Sequence, residues 1–376
     1  MERADEKGIC VKRPEIFRKR LLDWYDANAR ELPWRESRDP YRVWVSEIML
    51  QQTRVAAVIE HYREFLRRFP TVEKLAAARE SSVLAAWSGL GYYRRARMMH
   101  AAAKVITRQL GGKFPVTAEG WRELPGIGRY TAAAIASIAF GEPAAVVDGN
   151  VERVLQRVRG NPLTGCQLWS AAEDLLDRAR PGDFNQAMME LGATVCTPRV
   201  PACLMCPVIG LCVTRGELAG TRQAVRQRKR EIHYALDCES GNGNGALILL
   251  VRRPLDASLM PGMWELPELA GKTVIAGKRI SRSARNDAHQ GLLFTVRHSI
   301  TVTDYTVHVW RSPVPASIEG KRFAASELRR IALTGLARKI LHRAGLLQTI
   351  RMPALQNPPG QRGGVVNPGL NLAHLE

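Results

Sequence analysis

A short glycine-containing turn between two helical segments constrains this chain more than any other feature. It lies at residues 124–128 (LPGIG), and an alanine-rich helix is predicted to begin near Arg129. Pro125 fixes its own φ, whereas the two glycines supply backbone freedom and carry no side chain that would keep a ligand away. The following helix presents its positive N-terminal end on the same side. The turn therefore predicts a phosphate site built from the backbone amides of Gly126, Ile127 and Gly128.

The alternative interpretation of this turn is an ordinary connection between helices, because a Gly-x-Gly pair alone is common. A dinucleotide-binding motif would need a preceding strand and a third glycine, and neither is present. What distinguishes this turn is an acidic residue further along, since Asp148 follows the helix in the sequence VVDGNV. The turn, the helix and the acid together favour a functional site.

The size and charge of the chain limit its class. Its 376 residues are enough for two domains with hydrophobic cores. Lys and Arg number 55 against 36 Asp and Glu, and the net charge of +19 suits a polyanionic partner. No apolar run is long enough to span a membrane, and the polar N-terminus does not resemble a signal peptide. We therefore expect a cytoplasmic protein with no membrane partner.

Hydrophobic periodicity divides the chain into two parts, which predicts an α+β fold. Helical spacing dominates up to about residue 195, and alternating strand patterns begin near residue 233. We predict a helical catalytic domain at 1–220, a basic linker at 221–232 and a smaller α/β domain at 233–350. The linker either contacts DNA or is a solvated tether. The tail at 351–376 is rich in Pro, Gly and Asn, which predicts disorder.

Two acidic residues are candidates for chemistry. Glu47 lies among apolar residues in the stretch YRVWVSEIMLQQT, and a carboxyl in such surroundings tends to stay protonated. Asp148 opens a predicted helix, whose N-terminus favours the carboxylate. The alternatives are a solvated glutamate on a polar helix face and a simple helix N-cap. One acid and one carboxylate are the pair that cleavage of a glycosidic bond requires.

Four of the seven cysteines fall within one short segment, at Cys196, Cys203, Cys206 and Cys212. Four thiolates in one loop can hold a [4Fe–4S] cluster or a zinc ion. The other three cysteines are scattered, which indicates a metal site in a reducing compartment and not a disulfide framework.

These motifs together resemble the MutY-type adenine DNA glycosylases of the helix-hairpin-helix superfamily. The resemblance rests on LPGIGRYTA, on SEIMLQQT and on the spacing of the four cysteines, and it covers roughly residues 15–345. It implies a [4Fe–4S] cluster in preference to zinc. It also implies a monomer that binds double-stranded DNA and hydrolytically removes adenine mispaired with 8-oxoguanine or guanine.

The resemblance also implies roles for individual residues. Glu47 would protonate the adenine and assist a water molecule, Asp148 would stabilise or attack the sugar, and Tyr130 and Asn150 would support the transition state. Residues predicted to line the base pocket are Arg30, Trp34, Arg35, Leu50 and Gln186. Gln52 and Tyr92 are predicted to wedge into the DNA stack, although Tyr92 could instead be a core aromatic residue.

Tyr130 bears on the type of reaction. Related bifunctional glycosylases carry a lysine here, whose amine attacks the sugar, and a phenol cannot form that imine. The chain is therefore predicted to be monofunctional. The rival functions are a glycosylase/lyase acting on oxidised pyrimidines and a non-catalytic iron–sulfur protein that binds DNA.

The second domain resembles the Nudix-like C-terminal domain of the same family. No acidic magnesium-binding helix follows the GMWELP segment at 262–267, so this domain is predicted to bind and not to hydrolyse. The family reads 8-oxoguanine through a Phe-Ser-His turn, whereas this chain has Ile300-Thr301-Val302. We expect Thr301 to supply the remaining hydrogen bond, with weaker discrimination.

Overall fold

The structure is a computed structural model that describes residues 13–217, 228–241, 245–257, 259–269, 291–300, 303–314 and 318–347. The part up to residue 217 is helical. Its helices are α1 (Pro14–Asn28), α2 (Pro40–Leu50), α3 (Val55–Arg68), α4 (Val72–Ala77), α5 (Glu80–Ala86), α6 (Arg94–Gln109), α7 (Ala118–Arg122), α8 (Arg129–Phe140), α9 (Gly149–Arg159), α10 (Cys166–Leu175) and α11 (Pro181–Thr194). Throughout the described residues, every helix is too short or too polar to cross a lipid bilayer.

Local sequence signals explain where these helices begin and end. Proline occupies the first turn of α1, α2 and α11, where its missing N–H is not needed. Asp39 and Thr117 cap α2 and α7 through their side-chain oxygens. Gly141 and Gly160 end α8 and α9 in the left-handed conformation. The helical spacing predicted from the sequence is thus found as separate helices, and these local residues mark their ends.

The glycine turn joins α7 to α8, so the helix-hairpin-helix arrangement is present. Gly126 has a φ of +77°, and a Cβ at this position would lie 2.3 Å from Cβ of Met98. Conformation and space thus both require glycine here. Gly128 is the N-cap of α8, as the sequence predicted.

In the residues that the structure describes after 217, the second part consists of two small sheets and one helix. Strands β1 (Arg228–Leu236), β5 (Gly291–Ile300) and β6 (Thr303–Arg311) form one sheet, in which β6 is central and pairs in parallel with β1. The other sheet contains β2 (Cys238–Gly241), β3 (Gly245–Arg252), β4 (Trp264–Glu265) and β7 (Lys321–Ala324). The two sheets share a second hydrophobic core, and helix α12 (Gly335–Arg343) packs its apolar face on it.

The predicted linker overlaps the first strand of this region. Residues 228–232, predicted as linker, form the first half of β1, because their backbone pairs with β6 although residues 228–231 carry charged side chains. Strands β5 and β6 pair antiparallel, with Ile300 opposite Thr303. Residues 221–227 and the tail at 351–376 lie outside the described residues.

The sheet part packs directly on the helical part. The carbonyl of Leu333 accepts hydrogen bonds from Ser88 Oγ (3.0 Å) and from Tyr93 Oη (2.9 Å). Met263 and Ala332 belong to the hydrophobic core of the helical part. The loop that carries Tyr92 is therefore in contact with both parts.

Candidate active site

A cavity of about 540 Å³ between α2, α8, α9 and α11 contains most of the predicted site residues. Its size suits a ligand such as a nucleobase with its sugar. The predicted residues that line it are Glu47, Tyr130, Asp148, Asn150, Arg30, Trp34, Arg35, Leu50, Gln52 and Gln186. The fold thus brings together side chains that are up to 156 positions apart in the chain, as for Arg30 and Gln186.

Glu47 lies on α2 with only 6% of its surface exposed. The hydroxyl of Tyr130 donates a hydrogen bond to its Oε2 at 2.9 Å. Burial raises the pKa of Glu47 to about 7, the Tyr130 hydrogen bond opposes the shift, and the charge of Asp148 adds to it. Burial also raises the pKa of Tyr130 well above its usual value. At neutral pH, Glu47 can therefore donate a proton while the phenol stays neutral.

Asp148 is the N-cap of α9 and also lines the cavity. Its Oδ1 accepts hydrogen bonds from the backbone amides of Asn150 (2.9 Å) and Val151 (2.8 Å). Its Oδ2 accepts one from Nδ2 of Asn150 at 2.9 Å. The capping role and a role in the cavity are therefore compatible, because the cap holds the carboxylate at the cavity wall.

The orientation of Asn150 depends on Arg153, which the sequence analysis missed. Arg153 donates to Oδ1 of Asn150 (2.7 Å), so that Nδ2 is left to face Asp148. The same guanidinium donates to the carbonyls of Gly192 (2.7 Å) and Cys196 (2.7 Å). One side chain thus connects the cysteine loop to Asp148. The close approach of α11 to α9 at this point requires Gly192, since a Cβ there would lie 2.5 Å from Cβ of Asn150.

Glu190 is a second residue that the sequence analysis missed. It is 1% exposed and lines the cavity. Arg30 donates to both of its carboxylate oxygens (2.5 and 2.8 Å), and Arg35 donates to Oε2 (2.8 Å). Burial raises the pKa of Glu190, but the two guanidiniums outweigh burial and lower it below the usual value. Its position four residues after Gln186, on the same helical face, is the signal that sequence inspection offered.

The two predicted wedge residues are both exposed and do not lie in the core. Gln52 and Tyr92 line a second cavity of about 430 Å³, together with residues 125–127 of the hairpin turn. Tyr92 is 48% exposed. Both residues have positive φ, +56° for Gln52 and +47° for Tyr92. The core alternative for Tyr92 is therefore wrong.

The predicted phosphate site is partly accessible. Gly126 and Gly128 are exposed, whereas the side chain of Ile127 is buried. The Ile127 amide donates to the carbonyl of Leu124 at 3.2 Å, which holds the turn together. Thr301, predicted to read the opposite base, lies outside the described residues.

The four cysteines line a separate small cavity of about 30 Å³ beside α9 and α11. Arg157, itself buried, donates to Sγ of Cys196 at 3.3 Å, and burial raises the pKa of the Cys206 thiol to about 11. Within the described ranges, no three His, Cys, Asp or Glu side chains converge tightly enough to share one metal ion. A tetrahedral zinc site needs four sulfurs about 2.3 Å from one point. The four thiols around one cavity are a donor set that either a zinc ion or a [4Fe–4S] cluster can use.

Comparison with known proteins identifies the class. Residues 45–165 match the family model described as "HhH-GPD superfamily base excision DNA repair protein". A solved structure of a thermostable thymine-DNA glycosylase is 32% identical with a TM-score of 0.51, and the match covers 54% of this chain and 97% of that one. The chain therefore belongs to the HhH-GPD superfamily of base excision DNA repair proteins, and it is also similar to the curated relatives described next.

These relatives are adenine DNA glycosylases. The mouse protein (Mus musculus) is 43% identical over 312 residues, or 67% of this chain and 60% of the relative. The human protein (Homo sapiens) is 44% identical over 313 residues, covering 67% and 57%. The rat protein (Rattus norvegicus) is 39% identical over 80% of this chain and 65% of its own length, so the similarity extends into the sheet part. The chain spans about 57–65% of the length of these relatives.

Proposed function

We propose that this protein is a monofunctional adenine DNA glycosylase that acts on adenine mispaired with 8-oxoguanine or guanine. The observation that carries the proposal is the pair of carboxyl groups in one base-sized cavity. Glu47 is buried with a pKa raised to about 7, and Asp148 is held at the wall by three N–H donors. Gln52 lines both this cavity and the neighbouring one that Tyr92 lines, which fits extrusion of a base from the DNA stack.

The two groups divide the chemistry of the reaction. Glu47 donates its proton to a ring nitrogen of adenine, and the electrons of the breaking C1′–N9 bond move onto the departing base. The sugar becomes oxocarbenium-like, and Asp148 stabilises it or forms a bond to C1′. Water then adds to C1′ and, where the bond to Asp148 has formed, displaces its carboxylate. The Glu47 carboxylate accepts a proton from this water, which restores the acid. An abasic site and free adenine are the products.

Tyr130 limits the reaction to base removal. Its neutral phenol orients Glu47 and has no amine with which to form an imine to the sugar. Strand cleavage should therefore require added alkali.

Double-stranded DNA is the proposed partner. The net charge of +19, the exposed glycines of the hairpin turn and the N-terminus of α8 all favour phosphate binding. We expect the protein to act as a monomer in the cytoplasm, at the nucleoid, because that is where such a substrate is found in a bacterial cell.

A [4Fe–4S] cluster is the proposed cofactor, held by Cys196, Cys203, Cys206 and Cys212. Support comes from the cavity that these thiols surround and from Arg157, which donates to the sulfur of Cys196. The cluster would hold together the loop that carries Arg199 and Arg215.

Purified protein should be yellow-brown with about four irons per chain. A colourless protein with one zinc would contradict this assignment. Cys203→Ser should lower DNA affinity more than the rate of the chemical step.

We also propose that Thr301 contacts 8-oxoguanine in place of the serine of the family turn. Val302 cannot replace the hydrogen bond of the histidine in the family turn. One such bond is worth about 0.5–1.5 kcal/mol, so discrimination between 8-oxoguanine and guanine should weaken by up to about tenfold without disappearing. Thr301→Ala, and separately deletion of the residues after about 230, should shrink the ratio of excision rates opposite 8-oxoguanine and guanine. An unchanged ratio in Thr301→Ala, with a collapsed ratio in the truncation, would exclude Thr301 as the reading residue.

One assay tests the main proposal. Duplexes carrying adenine opposite 8-oxoguanine, guanine, cytosine or thymine are incubated with the protein, with and without alkali. We expect alkali-dependent nicks at adenine opposite 8-oxoguanine and guanine. Efficient trapping of a protein–DNA adduct by borohydride would instead favour the glycosylase/lyase alternative, and binding without base release would favour the non-catalytic one.

A further inference from the structure

The two wedge residues share an unusual backbone conformation. Gln52 follows the C-terminal end of α2 and Tyr92 precedes α6, and both have φ between +45° and +60°. A residue with a Cβ rarely adopts this conformation, and it persists only where the surroundings hold it in place. Gln52 and Tyr92 belong to separate loops. Contacts with other residues must therefore fix the position of the two loops relative to each other.

The guanidinium of Arg95, in the first turn of α6, contacts both loops. On the Gln52 side, Nη1 donates to the carbonyls of Ile48 (2.8 Å), Met49 (3.1 Å) and Gln51. Nη2 donates to the hydroxyl of Thr53 at 3.2 Å. The residues immediately before and after Gln52 are thus both bound to this side chain.

On the Tyr92 side, the same Nη2 donates to the carbonyls of Leu90 (3.1 Å) and Gly91 (3.3 Å). The guanidinium carbon lies 5.5 Å from the ring centre of Tyr92, within the range of a cation–π contact. The buried Nε has no partner among the described residues. The side-chain hydrogen bonds of Arg95 therefore all come from its two terminal nitrogens, and they reach the end of α2 and the two wedge loops.

We propose that Arg95 is a positioning residue that couples Gln52 and Tyr92, so that the two wedges enter the DNA stack as one unit. The proposal rests on the proposed function, since it concerns how the target adenine is unstacked. A planar guanidinium has two terminal nitrogens that can bind two loops at once, whereas an ammonium concentrates its donors at one point. Lysine at position 95 should therefore keep the charge and lose the coupling.

The test compares Arg95→Lys with Arg18→Lys. Arg18 is a matched control, because it also donates to backbone carbonyls at a helix end, Leu175 (2.9 Å) and Asp174 (2.7 Å), outside the candidate site. Three quantities are measured: single-turnover excision from an A:guanine duplex, fluorescence of 2-aminopurine placed beside the target adenine, and thermal stability. Arg95→Lys should slow excision by about 10- to 100-fold and suppress the fluorescence rise. Arg18→Lys should leave both close to wild type.

A second comparison separates positioning from chemistry. Excision is repeated on a duplex in which the adenine is bulged, and so already unstacked. Arg95→Lys should recover most of the wild-type rate there. Combining Arg95→Lys with Tyr92→Ala should add little to the loss caused by either change alone.

Several outcomes would overturn the proposal. They are an Arg95→Lys rate on the A:guanine duplex equal to that of Arg18→Lys, an equal loss on both duplexes, additive losses in the double variant, or global unfolding of Arg95→Lys and Arg95→Gln at the assay temperature. If the wild-type protein removed no adenine from any duplex, the proposed function itself would be wrong. Failure of the Arg95 proposal alone leaves excision by the wild-type protein intact.

Discussion

The cavity is lined by two glutamates, Glu47 and Glu190, that behave in opposite ways. Glu47 and Glu190 are both buried, 6% and 1% exposed. Glu47 has one neutral partner, the phenol of Tyr130, and its pKa is raised to about 7 by burial. Glu190 is bound by Arg30 and Arg35, and its pKa is lowered despite burial. The comparison shows that partners, and not burial alone, decide whether a buried carboxyl is a proton donor or a fixed anion.

The largest expected effect is at the proton donor. Glu47→Gln keeps the shape of the side chain and removes its proton, so excision should fall by about 10³-fold or more, with DNA binding retained. Single-turnover kinetics and a DNA-binding titration measure the two quantities. Excision near the wild-type rate would mean that the two glutamates do not differ in the way described.

The pH dependence of stability should differ in sign between the two glutamates. The folded-state pKa of Glu47 is raised from 4.5 to about 7, so its contribution is fully present below pH 4.5 and is lost as pH rises to about 7. Glu47→Gln should therefore gain, relative to wild type, on the order of 3 kcal/mol in unfolding free energy between pH 4.5 and 8. Chemical denaturation across this range measures it. A Glu47→Gln difference that is independent of pH would argue against the raised pKa.

Glu190→Gln should destabilise the protein, because it leaves Arg30 and Arg35 without their counter-charge. Their side chains are 39% and 16% exposed, so we expect about 2 kcal/mol, less than for a fully buried pair. Since the pKa of Glu190 is lowered, the difference from wild type should be present above pH 4.5 and shrink in more acidic solution.

Glu64 provides the control for Glu190, because it too pairs with two arginines, Arg67 and Arg68, but on the surface of α3. Glu64→Gln should cost less than 1 kcal/mol and leave excision unchanged. Equal losses for both variants would show that the arginine pairs at position 190 have no special role in the cavity.

The smallest effect is expected at Tyr130. Its hydrogen bond lowers the pKa of Glu47, so Tyr130→Phe should raise that pKa and move the alkaline limb of the rate profile upward by up to about 1 pH unit. Excision rates from pH 5 to 9 measure the limb. Tyr62→Phe is the control, since the buried Tyr62 hydroxyl has no hydrogen-bond partner in the described part of the chain. A downward shift in Tyr130→Phe would contradict the prediction.

Local patterns were sufficient for much of the fold. The glycine turn, the alanine-rich α8, the acid in an apolar stretch of α2 and the cap at Asp148 all follow from residues within one or two helical turns. The change from helical to strand periodicity predicted the α+β fold, and the resemblance to MutY-type glycosylases rested on the sequence motifs. These features depend on backbone preference and hydrophobic spacing, which neighbouring residues set.

Contacts between segments that are distant in the sequence could not be predicted from such local patterns. The partnership of Glu190 with Arg30 joins residues 160 positions apart, and the parallel pairing of β1 with β6 brings charged residues of the predicted linker into a sheet. Arg95 reaches α2 across 47 positions. In each case the decisive energy comes from a partner that arrives only when the chain packs, because burial and hydrogen bonding depend on distance in space and not in sequence.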